Sequence, residues 1–248
     1  MNTQNTQKRI IVGDVLKEAW RLVSGLKWPI FWITILLPVT FSIVMFILAI
    51  FLIKQFLLLA VPLLILLSGV SFFLMWCMLS IVVMLGVRQA IGLPIDVRLV
   101  YSQCMQVKGS LLSLFFIWLA FFAVYAFVKY VFIPAGIIGL ILNIALYLVC
   151  LYATLPIIIF ALPLIITKRV SIQQALEEGY TVMNQYWLEI IACYVLMAII
   201  GFISAIPLGI GLIWTIPMHY AMLGILFRNA YGLKRKPQNI QAPAEAGT

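Results

Sequence analysis

PIFWITILLPVTFSIVMFILAIFLI, residues 29–53, contains no charged side chain. Lys54 and Gln55 interrupt it, and FLLLAVPLLILLSGVSFFLMWCMLSIVVMLGV, residues 56–87, runs uncharged to Arg88. A helix needs roughly 20 apolar residues to cross a hydrocarbon core, and each run exceeds that. Hydrocarbon offers no partner for a backbone amide, so a spanning segment must satisfy its own, as a helix does. A transmembrane barrel would instead show strands of about ten residues with alternating polarity. The pair of runs therefore reads as a transmembrane helical hairpin.

The same pattern extends along the chain. Of its 248 residues, 65% are hydrophobic and 9% charged, too few polar groups to cover a soluble surface. Further apolar runs predict spans at about 111–128, 134–166, 188–206 and 210–228, after the first two at about 29–53 and 56–86. The expected fold class is all-α: a polytopic membrane helix bundle of six transmembrane helices. The expected organisation is a polar N-terminus at 1–9, one membrane domain at 10–232, and a basic tail at 233–248. Both termini are expected to be disordered. The first 27 residues are polar and charged and show no signal-peptide core, so the first span should act as its own insertion signal.

Three polar segments lie between the hairpins. In residues 10–26, Val12, Val15, Leu16, Ala19, Val23 and Leu26 recur at helical spacing with Trp20 beside them. Asp14, Lys17, Glu18, Arg21 and Ser24 take the other side. Residues 168–186 repeat the design, with Ile172, Ala175, Leu176, Gly179, Tyr180 and Met183 apolar. Ser171 and Gln174 fit a capping box. Residues 94–108 form the third segment, with Asp96 suited to a helix start. These segments are expected to be interfacial amphipathic helices, and the chain reads as three repeats of one such helix plus two spans, with a period of about 80 residues.

Pro156 and Pro163 predict a kink or break at the end of the fourth span. Ala135 and Gly139, and Gly201 and Ala205, are small pairs four apart that favour close helix approach.

Fourteen of the sixteen basic residues fall on one side of a six-span topology. Only Lys54 and Lys129 fall in the opposite turns. The positive-inside rule then places both termini in the cytoplasm. The same rule accounts for the net charge of +9. Basic residues face anionic headgroups, and no basic and aromatic module stands apart to bind nucleic acid.

Candidate functional residues are few. His219, the single histidine, lies roughly 13 Å inside the boundary set by Arg228, at 1.5 Å per residue. It reads as an interhelical hydrogen-bonding group, with Tyr220 and Trp214 as neighbours, or as a proton or solute site. Glu189 reads as a first-turn carboxylate beside the interfacial Tyr186 and Trp187. Asn143 reads as a polar group joining two helices. Cys77, Cys104, Cys150 and Cys193 are too widely spaced for a metal knuckle or redox pair. No nucleophile with a base, zinc site or phosphate loop is visible. The expectation is a non-enzyme with no cofactor and no metal.

The stretch ATLPIIIFALPLIITKRVSIQQALEEGYTVMNQYW, residues 153–187, is followed by a glycine-interrupted hairpin and IPMHYAMLGILFRNAYG, residues 216–232. Over its C-terminal 80 or so residues the chain resembles a group of uncharacterised bacterial inner-membrane proteins related to the membrane domain of glycerophosphoryl diester phosphodiesterase. The shared features are a proline-containing span end, Ser171 with Ala175 and Leu176, Asn184 before the next span, and Pro217 with Tyr220 in the last. The resemblance implies a multi-pass protein of the bacterial inner membrane. It carries over no catalytic residue, because no segment is long or polar enough to be the namesake's catalytic domain. The functional expectation is a membrane-organising protein that packs with lipid, a membrane-protein partner or its own copies. The alternative is a small transporter or channel.

Overall fold

Residues 12–55 form one helical rod interrupted only by a change of pitch. The computed structural model describes residues 10–55, 57–132, 136–206 and 209–236. The rod comprises α1 (Val12–Phe31), a π-helical turn (Trp32–Leu36) and α2 (Leu37–Gln55). A second π turn (Ile157–Ala161) joins α6 (Ile137–Pro156) to α7 (Leu162–Lys168). Each π turn ends two residues before a proline, Pro38 in one case and Pro163 in the other. A proline has no N–H to donate and its ring crowds the carbonyl four residues back. Widening the preceding turn relieves both problems, and Leu162 N–H accordingly donates to Ile157, five residues back. The fourth expected span is thus continuous through a π turn, not broken.

The remaining elements are α3 (Leu57–Ile91), α4 (Val97–Gln106), α5 (Lys108–Phe132), α8 (Ile172–Ala205) and α9 (Leu212–Ala230). Among the described residues there is no strand. Among the described residues, five helices are long and apolar enough to cross a membrane: Val12–Ile50, Leu66–Ile91, Lys108–Phe132, Ile137–Lys168 and Ile172–Ala205. The sixth expected span, α9, is not among them. Its polar content has a packing explanation. Thr215, Pro217, Met218 and every residue from Ala221 to Arg228 are buried by neighbouring helices. A helix enclosed by protein does not need a fully apolar surface.

α9 packs most extensively on α3 and α1, and also on α8. Glu18 of α1 meets Arg228, and Lys27 meets Trp214, so α1 runs antiparallel to α9. This corrects the expected organisation of the first unit. The amphipathic stripe at 10–26 does not belong to a separate interfacial helix; it continues into the first span and lies along α9. Val15, Ala19, Val23 and Leu26 are buried as the periodicity predicts, and Leu22 and Ile30 join them. Trp20 turns outward and is 57% exposed.

The segment at 168–186 behaves similarly. Ser171 caps α8 by accepting from Gln174 N–H at 3.3 Å. The Gln174 side chain donates to Glu178 instead of returning to Ser171, so only half of the capping box forms. Ala175, Gly179 and Met183 are buried. At Tyr186 the backbone leaves helical geometry (φ −124°, ψ 25°), and the helix resumes as the next span. α4 is shorter than the polar segment that contains it; Asp96 caps it by accepting from Leu99 N–H at 3.0 Å.

Along the hairpin arms many apolar side chains face outward. Phe46 is 67% exposed, Val149 65% and Phe202 74%. At about 25 cal/mol per Å² of apolar area, such surfaces are stable only in an apolar surrounding. Residues 1–9, most of the tail, and Pro134, Ala135 and Pro207 lie outside the described residues. The expected disorder of the tail does not extend to its first residues. Lys236 N–H donates to the Ile91 carbonyl at 2.7 Å, which holds residues 233–236 against the end of α3.

Candidate functional site

The three sequence candidates occupy three separate places. Asn143 sits on α6 and accepts a hydrogen bond from Tyr125 of α5 at 3.4 Å, joining the two arms of one hairpin. Glu189 is half-buried in the first turn after the Tyr186 break. That position places its carboxylate near the positive end of the resumed helix. His219 lies on α9 and faces α8.

The surroundings of His219 are aromatic. Its ring meets Tyr194 of α8 edge-on, with centroids 5.2 Å apart, and Tyr220 at 5.6 Å. Trp214, expected as a neighbour, instead lies under the Lys27 ammonium at 4.0 Å. Tyr194 had no distinguishing pattern in the sequence, because its approach depends on how α8 crosses α9. Beside His219 is a cleft of about 380 Å³, lined in part by Thr34, Thr215, Met197 and Tyr220. Glu189 and Asn143 are not among its walls.

Several hydroxyls along the spans are engaged within their own helices. Thr34 donates to the Ile30 carbonyl at 2.7 Å, Ser80 to Trp76 at 2.9 Å and Thr215 to Gly211 at 3.3 Å, each within its own helix. Thr154 does the same to Cys150 at 2.9 Å. A hydroxyl that bonds its own carbonyl cannot also donate to a passing solute.

A second cluster lies at the other end of α9. Arg228 is buried and grips Glu18 with both nitrogens, at 2.5 and 2.7 Å. It also donates to the Ala90 carbonyl at 3.0 Å and to Asn229 at 3.2 Å. Arg235 of the tail approaches Glu18 at 4.0 Å. One guanidinium thus ties together α1, α3 and α9. Bidentate pairing of this kind is stronger and more directional than a single ion pair. In the sequence, Arg228 was only a flanking basic residue and Glu18 one residue of a polar face.

Among the described residues, no three His, Cys, Asp or Glu side chains gather as metal ligands. Cys104, on α4, is buried, and burial pushes its thiol up to about 12, with nearby Cys77 adding to the effect. A thiol held protonated in this way is a poor nucleophile. Burial also raises the Tyr231 phenol, and the Glu178 charge adds to it.

Comparison with family models, curated proteins and solved structures yields no match to this chain.

Proposed function

We propose that this protein is a multi-pass component of a bacterial inner membrane that organises the bilayer without catalysing a reaction. In this reading α9 is the sixth span and both termini are cytoplasmic. The first and third units share a plan, an amphipathic stretch that leads directly into a span, which supports an internal repeat. The resemblance of the last 80 or so residues supports the inner-membrane assignment.

One observation carries the organising role. Asn143 and Arg228 join helices and span hydroxyls bond their own helices, while the hairpin arms turn large apolar side chains outward. Asn143, Arg228 and the span hydroxyls bond protein groups, and Phe46, Val149 and Phe202 face away from it. Such a surface suits lipid, a membrane-protein partner or a second copy. The test is deletion followed by a dye-uptake assay of envelope permeability. Uptake should rise in the deletion strain and return to normal with the wild-type chain. Unchanged uptake would remove the organising role.

A transporter or channel is the second reading, favoured by the cleft beside His219. Proteoliposomes loaded with a pH-sensitive dye separate the two. The organising role predicts no proton flux above empty vesicles, whereas transport by His219 predicts a flux that His219→Phe abolishes.

A further inference from the structure

Lys17, Trp20 and Arg21 lie on one exposed face of α1. Residues three and four apart on a helix are neighbours, so these three side chains form one patch. The patch borders a cleft of about 380 Å³ whose remaining walls are Leu16, Ile200 of α8 and Met218 of α9. One side of the cleft is therefore cationic and carries an indole, and the other is aliphatic.

The charges on this patch are not neutralised from within. Among the described residues, neither Lys17 nor Arg21 takes part in an ion pair. Glu18, between them in sequence, turns instead to Arg228 and Arg235. The helix thus directs Glu18 inward and, with Asp14 exposed one turn earlier, leaves Lys17 and Arg21 at the mouth of an apolar slot.

We propose that this cleft binds an acidic phospholipid. The headgroup phosphate pairs with Lys17 and Arg21, and an acyl chain lies against Leu16, Ile200 and Met218. Trp20 sits at the join, where an indole is best accommodated between apolar and polar surroundings. A soluble phosphate would use the cations but not the aliphatic wall; a phospholipid uses both. The proposal rests on the membrane reading above.

Tryptophan quenching by brominated lipid tests it. The full chain is reconstituted in phosphatidylcholine vesicles containing brominated phosphatidylglycerol or brominated phosphatidylcholine. The Trp20 signal is taken as the difference between wild type and Trp20→Phe. Quenching should favour the acidic lipid, and Lys17→Gln and Arg21→Gln should each weaken that preference about fivefold. Lys17→Arg should retain it. Equal quenching by the two lipids, or an acidic preference unchanged in the double Gln variant, overturns the site while the protein remains embedded. Failure of the chain to float with any vesicle would sink the membrane reading, and the lipid site with it.

Discussion

The backbone of Gly224 in α9 lies directly against that of Gly86 in α3: a Cβ on Gly224 would stand 2.2 Å from the Gly86 carbonyl oxygen. The contact is reciprocal in effect, since a Cβ on Gly86 would stand 2.1 Å from the Tyr220 carbonyl oxygen. Close backbone approach of this kind lets dispersion forces hold helices where no hydrophobic effect operates between them.

Gly224→Ala and Gly86→Ala should each force α3 and α9 apart. Overpacking costs typically 1–3 kcal/mol, and backbone atoms cannot swing aside as a side chain can. Gly69→Ala is the control, because a Cβ there would meet nothing within 4 Å and alanine favours helix. Thermal unfolding in detergent should show both variants well below wild type and Gly69→Ala level with it or above. Three equal midpoints would mean that the crossing contributes little.

The Glu18–Arg228 pair gives the second prediction. Removing one partner of a buried pair leaves an uncompensated charge and costs about 3–5 kcal/mol. Arg228→Met should also free the Ala90 carbonyl, so it should do more damage than Glu18→Gln. The double variant should be less destabilised than the two single effects together. Additive losses in a double-mutant cycle would show that the two side chains are not energetically coupled.

His219 gives the third. Its contacts with Tyr194 and Tyr220 are ring edges, so Phe should retain them and Ala should lose about 0.5–1.5 kcal/mol. Unfolding midpoints of His219→Phe and His219→Ala measure this. A Phe variant as unstable as the Ala variant would point to a hydrogen bond that the ring contacts do not explain.

Topology supplies the fourth. Reporter fusions after Arg88, Arg169 and Lys236 should read cytoplasmic, and fusions near Lys54, Lys129 and Gly209 should read periplasmic. A periplasmic signal from the Lys236 fusion would rule out six spans.

The sequence by itself determined the helical class and most of the stripe positions. Each of these follows from periodicity and local chemistry. Val15, Ala19, Ala175 and Met183 are buried where a 3.6-residue period puts them, and Asp96 and Ser171 cap the helices that follow them. Proline chemistry is local too, so a distortion before Pro163 was legible, although its form as a π turn was not.

Only the tertiary structure decided which helices meet. Gly86 and Gly224 carry no shared motif, whereas Gly201, singled out by its spacing, has open space around it. Trp20 faces outward because α9 occupies one side of α1, and its identity as an apolar residue does not encode that side. Glu18 and Arg228 are 210 residues apart. Their pairing depends on α1 lying along α9 instead of along the interface. The physical reason is the same in each case: hydropathy fixes which residues leave water, but the shape of the facing backbone fixes which neighbour they find.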